Sequence, residues 1–142
     1  MGFDMLKMDV SVMQPAINQN EKFLVDTWAY KATQPKRGDI IVHSFDGQKG
    51  LFVNRIIAIE NDKISITGGI VFLNGNKLNE PYVLPSNVTK PESKEMKALV
   101  IPKGSYFVMG DNRDKSFGDS RFNFSIATNT IIGKVTDIFY NR

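Results

Sequence analysis

A chain of 142 residues, 42% hydrophobic and 23% charged, is long enough for one domain with a sizeable core, and its composition excludes collagen, coiled coil and global disorder. The absence of cysteine excludes a disulfide framework, a thiolate nucleophile and Cys-ligated zinc. The net charge of +3 is carried by Lys and Arg scattered along the chain, which argues against a nucleic-acid footprint, and no run of about 18 apolar residues is present to cross a membrane as a helix.

The polar opening MGFDMLKMD is not a signal peptide, so the chain is expected either to be soluble or to follow a membrane anchor that lies outside it. Runs rich in Val, Ile, Phe and Tyr then recur between turn signals, as half-buried strands require. Strands are expected over Phe23–Tyr30, Gly38–Phe45, Gly50–Glu60, Lys63–Gly68, Ile70–Leu78, Ser105–Gly110 and Lys134–Tyr140. Asn74-Gly75 inside FLNGNKL reads as a hairpin turn, because both central residues of a tight two-residue turn need positive φ. Pro35 with KRGD, Asp46-Gly47 and Asn61-Asp62 mark further turns, and such short connections favour antiparallel pairing. The proline-punctuated stretch PSNVTKPESKEMKA, Pro85–Ala98, reads as a flexible surface loop, and ATNTIIG offers one helical turn and no more. The expectation is a mostly β protein with little helix. Its core would span about residues 8–62 and 99–142, with a small hairpin lobe and loop over about 63–98.

The box YFVMGDNRDKSFGDSR, Tyr106–Arg121, is the most specific text in the chain. A strand ends at Gly110, and charged and amide side chains then crowd a short turn, either as an ion-pair network tying a loop to a sheet or as a functional site. A calcium loop is excluded, because Arg113 falls where an oxygen ligand is required. No metal site and no cofactor are expected.

This box resembles the GDNR…S…DSR signature of bacterial type I signal peptidases. MQPAINQNEKFLVDTWAY with PKRGDIIV, NRIIAIENDKI, LNGNKLNEPYV, IPKGSYFVMGDNR and IIGKVTDIFY are similar to the family's other segments, in order. The resemblance implies a fold of coiled antiparallel sheets on the extracytoplasmic face of the cell membrane, anchored by one or two preceding helices. It also implies a Ser/Lys dyad: the serine attacks the carbonyl that follows an Ala-x-Ala-like site in a secreted preprotein, and a buried, neutral lysine takes its proton.

Counted from Met13-Gln14-Pro15, the nucleophile position falls on Val12, and counted from Arg55 the base position falls on Asn54. Valine has no proton to lose, and an asparagine amide does not titrate near neutral pH. Val10 stands where some relatives place a hydroxyl for the oxyanion hole. By the same match Met13 and Pro15 follow the nucleophile, while Asp111, Asn112, Arg113 and Ser120 line or brace the cleft. Ser116 corresponds to the residue that orients the lysine, and Asp119, Arg121 and Arg55 to a structural salt-bridge cluster. Gly118 is one residue more than the usual spacing and is expected to sit in a bulge.

Ser11 is the alternative nucleophile. In an extended segment it would point away from the face of Val12, and Lys7, Lys49 or Lys63 would have to supply the base. His43 reads as a strand residue, and Trp28 as core or as a membrane-facing rim. The function expected is that of a signal-peptidase-like protein without hydrolysis, holding an extended peptide as an added strand. Relatives that lack the dyad are associated with surface pilus assembly in Gram-positive bacteria, so a secreted preprotein, a pilin or a pilus-assembly protein is the expected partner. The alternative is an active serine endopeptidase that uses Ser11. A self-cleaving repressor-type domain fits poorly, because the box belongs to the peptidases.

Overall fold

The computed structural model describes residues 2–140. Its strands are β1 (Phe3–Leu6), β2 (Lys22–Asp26), β3 (Ile40–His43), β4 (Phe52–Ala58), β5 (Lys63–Thr67) and β6 (Ile70–Leu73). They continue as β7 (Asn76–Lys77), β8 (Met96–Val100), β9 (Ser105–Met109), β10 (Ile126–Ala127) and β11 (Ile131–Phe139). One sheet runs β1-β2-β11-β3-β4-β9-β10 and a second runs β7-β6-β5-β8. Every pairing is antiparallel.

Strand alternation builds the core. On β2, Phe23 and Val25 point inward while Lys22 and Asp26 do not, and they pack with Val10, Met13, Ile17, Val42 and Val53 on one face of the large sheet. The other face is filled by Ile41, Phe45, Ile56, Tyr106, Val108 and Ile126. A third cluster lies between the two sheets, where Ile57, Phe107 and Met109 meet Ile64, Ile66 and Val71. β4 therefore feeds all three clusters, through Val53, Ile56 and Ile57. A polar clamp marks the junction of the sheets: Asp62 accepts from Arg37 at 2.8 and 2.6 Å, from the Asn74 amide at 2.9 Å and from the Ile59 N–H at 2.8 Å.

Asn74 and Gly75 take φ of 53° and 85°, the tight hairpin that their pairing in the sequence predicts. Other segments differ from expectation. FDML forms edge strand β1, and β8 takes the end of the stretch Pro85–Ala98, pairing Lys63 with Val100 and Ile64 with Leu99. The rest of that stretch is tied down. The Asp114 carboxylate accepts from the Thr89 hydroxyl at 2.7 Å, from the Thr89 N–H at 2.9 Å and from the Lys90 N–H at 3.0 Å.

ATNTIIG holds a short 3-10 turn, Thr128–Thr130, but a helical turn α1 (Ser120–Asn123) also begins at the end of the box, with Asp119 as its cap. Gly118 lies in a turn and not in a strand bulge, and its carbonyl accepts from Asn123 Nδ2 at 2.7 Å. Trp28 is 55% exposed, so it does not belong to the core. Among the described residues no helix is long and apolar enough to cross a membrane.

Candidate functional site

Ser11–Met13 form a single 3-10 turn between Val10 and a cis Gln14–Pro15 bond, with the Met13 N–H on the Val10 carbonyl at 2.7 Å. Val10 and Met13 anchor the turn in the core, both fully buried. Its backbone is held from the far end of the chain. The Asn112 N–H donates to the Val12 carbonyl at 2.9 Å, and Asn112 Nδ2 donates to the Ser11 carbonyl at 3.2 Å. Gly110 lies beneath this joint, where a Cβ would meet Ser116 Oγ and come within 2.7 Å of the Val12 carbonyl. A side chain at 110 would therefore push the box and the turn apart.

Val12 and Asn54 line one cleft of about 380 Å³, together with Val10, Phe52, Ser116 and Asp119. The structure thus brings together the two positions that the family resemblance assigns to nucleophile and base. Ser11 is not among the lining residues, nor are Lys7, Lys49 and Lys63. The reason differs from the one that an extended segment suggests. In a 3-10 turn, successive side chains are about 120° apart, so Ser11 is turned aside and its N–H bonds Asp9 Oδ1 at 3.0 Å. Lys115 lies at the cleft edge and is exposed, whereas a lysine base requires burial.

Asn54 is buried on β4, and its Oδ1 lies 2.9 Å from His43 Nε2. His43, on the neighbouring strand β3, is fully buried, with Nδ1 3.0 Å from the Ser44 carbonyl. Phe45 meets its ring edge-on at 4.8 Å, and Phe52 stacks at 5.9 Å. Burial pushes the imidazole below the usual histidine range, against the pull of its two hydrogen-bond partners. Spacing alone does not find this contact, because only the register of β3 on β4 sets His43 diagonal to Asn54.

The box supplies the opposite wall. Ser116 Oγ donates to Asp119 Oδ2 at 2.7 Å, and the Gly110 N–H reaches both residues, at 3.2 and 3.1 Å. Arg121 grips Asp119 at 3.0 and 2.9 Å and also donates to the Arg113 and Ser116 carbonyls, with Nη1 left buried and without a partner. Ser120 Oγ accepts from the Val108 N–H at 2.9 Å, which ties α1 to β9.

Arg55 does not join Asp119 and Arg121, as the single cluster would have it. Its side chain leaves β4 on the face opposite Asn54. Arg55 is in register with Met109, so Asp111, two residues further on, is presented to the same face and takes Arg55 in a bidentate pair at 2.8 and 2.7 Å. Arg55 also lies over the Tyr82 ring at 4.0 Å, Tyr82 donates to Glu80 at 2.9 Å, and Glu80 accepts from Arg113 at 2.5 Å. Glu80 and Tyr82 are site-bracing residues that sequence reasoning does not single out, although both stand in the family-like segment LNGNKLNEPYV. Among the described residues no group of three or more His, Asp or Glu is placed to hold a metal ion.

Comparison with known proteins agrees with the fold. The family profile described as "Signal peptidase, peptidase S26" matches residues 2–140. Signal peptidase I of Bacillus amyloliquefaciens is 33% identical over 97% of this chain and 74% of its own length. Signal peptidase I T of Bacillus subtilis is 30% identical over the same shares of 97% and 74%. The chain spans 64% of signal peptidase I of Leptolyngbya laminosa and 53% of a probable signal peptidase I-2 of Synechocystis. The crystal structure of a signal peptidase I from Enterococcus faecalis superposes with a TM-score of 0.64 at 27% identity, over 73% of this chain and 98% of that one. On a family match over residues 2–140, shared sequence and a shared fold, the chain belongs to the signal peptidase, peptidase S26 family.

Proposed function

We propose that the chain is a signal-peptidase-like protein that does not hydrolyse its ligand and uses the retained cleft to hold an extended peptide or partner protein. The observation that supports this reading is that Val12 and Asn54 line the same cleft, and neither can lose or take a proton near neutral pH. What survives the loss of both groups in a serine hydrolase is binding and whatever oxyanion donors remain. An extended peptide is the ligand class because backbone hydrogen bonds to a strand edge need no nucleophile.

Its client on this reading is a secreted preprotein or a pilin, met at the extracytoplasmic face of the cell membrane through an anchor upstream of residue 1. The role is that of an accessory or chaperone in surface pilus assembly.

The test incubates the purified chain, in lipid, with a fluorescent peptide carrying an Ala-x-Ala site, reading cleavage by mass spectrometry and binding by anisotropy. Binding without cleavage is expected. Cleavage that disappears in Ser11→Ala would replace this reading with that of an active serine endopeptidase. Absence of both binding and cleavage would remove the peptide-holding role.

A further inference from the structure

The hydrogen bonds around His43 cannot all be made by a neutral ring. Nδ1 faces the Ser44 carbonyl oxygen at 3.0 Å, an atom that only accepts, so Nδ1 carries a proton. Nε2 faces Asn54 Oδ1 at 2.9 Å, a second acceptor, and satisfying both contacts at once takes the imidazolium. A neutral ring protonated on Nδ1 has an acceptor at Nε2. The Asn54 amide must then turn about its last bond to offer Nδ2, a change that needs no repacking because the two ends of an amide have nearly the same shape.

The surroundings favour the neutral ring. His43 is fully buried and packed by Phe45 and Phe52. In the sheet it lies opposite Ile131 of β11 and Phe52 of β4, and neither carries charge. The charged groups that line the cleft beside Asn54 are Asp9, Lys115 and Asp119, and its chain neighbour Arg55 is turned to the opposite face and paired with Asp111. Asp119 is engaged by Arg121, Asp9 accepts from the Ser11 N–H, and Lys115 is exposed. No hydrogen bond joins any of them to the ring or to the Asn54 amide.

Asn54 has His43 on one side and the cleft on the other. We propose that His43 sets which end of the Asn54 amide the cleft presents: Oδ1 to accept a backbone N–H of an extended peptide while the ring is neutral, Nδ2 once it is charged. The base position thus becomes a recognition group with a polarity read from a histidine on the next strand. Acidification turns an acceptor into a donor at that point, and a peptide N–H docked there loses its partner. The inference rests on the peptide-holding reading for its ligand, but not for the amide orientation.

The experiment uses the whole chain, labelled with 15N. At pH 7.5 the His43 ring should show Nδ1 protonated and Nε2 unprotonated, with a hydrogen bond from Asn54 Nδ2 to Nε2. Through the His43 titration that bond should be replaced by Nε2–H to Oδ1. Binding of the Ala-x-Ala peptide should weaken about tenfold over the same step, the loss of one hydrogen bond. Asn54→Leu should bind about tenfold more weakly at pH 7.5 and show no such step.

A ring protonated on Nε2 at pH 7.5 would overturn the proposal, as would a pH step that persists in Asn54→Leu. A peptide that binds at no pH would end the peptide-holding reading instead, and the wild-type spectra would then decide the amide orientation by themselves.

Discussion

Asp119 concentrates the electrostatics of the site in one carboxylate. Its two oxygens accept from the Gly110 N–H, the Ser116 hydroxyl, the Arg121 N–H and two guanidinium nitrogens of Arg121. Both side chains of the ion pair are buried, so removing the carboxylate leaves a guanidinium in the interior without a counter-charge. Asp119→Ala is expected to cost about 3–5 kcal/mol, read as a lower urea midpoint at unchanged slope. At this scale the sequence was informative about proximity: Val12 and Asn54, counted along two family-like motifs, both line one cleft. Partnerships made across the sheet were not legible. Arg55 meets Asp111, and His43 meets Asn54, only because strand register brings them together.

At the scale of elements, Asp114 shows how a segment that reads as a loose loop is tied down. Burial works against its ionised form, but the N–H groups of Lys90 and Thr89 and the Thr89 hydroxyl outweigh it and bring its pKa down to about 2. A carboxylate depressed in this way stabilises the docked loop above its unfolded pKa of about 3.9, and the contribution fades as pH falls toward 2. Hydrogen exchange at Thr89 and Lys90 should therefore accelerate between pH 4 and 2 relative to the rest of the chain. Asp114→Asn should show that faster exchange already at neutral pH, and unchanged protection in the variant would refute the tie.

Element type was legible where side chains alternate between core and solvent, as on β2 and β5. It was not legible for β1 and β8, which are mostly exposed edge strands set by the free backbone of β2 and β5 rather than by their own composition.

For the whole molecule, polar assemblies tie the two sheets together and fix the strands that carry the cleft. Asp62 clamps the junction of the two sheets, the Glu80–Tyr82–Arg55–Asp111 chain braces β4 on the face opposite Asn54, and Ser116 lines the cleft together with Asn54. On the reading proposed above, hydrolysis should be restorable at two positions. Val12→Ser alone is expected to leave the Ala-x-Ala peptide intact. The double variant Val12→Ser/Asn54→Lys is expected to cleave it about 100-fold faster than the single one, the usual scale of a positioned general base. Equal rates in the two variants would show that the cleft has lost more than its dyad.

The grip of Asn112 on the carbonyls of Ser11 and Val12 uses only main-chain atoms of the turn. A lineage can exchange the side chain at position 12 in either direction with no folding penalty from this joint. On the reading proposed above, the change at position 12 that separates a silent form from a hydrolysing one leaves this joint intact.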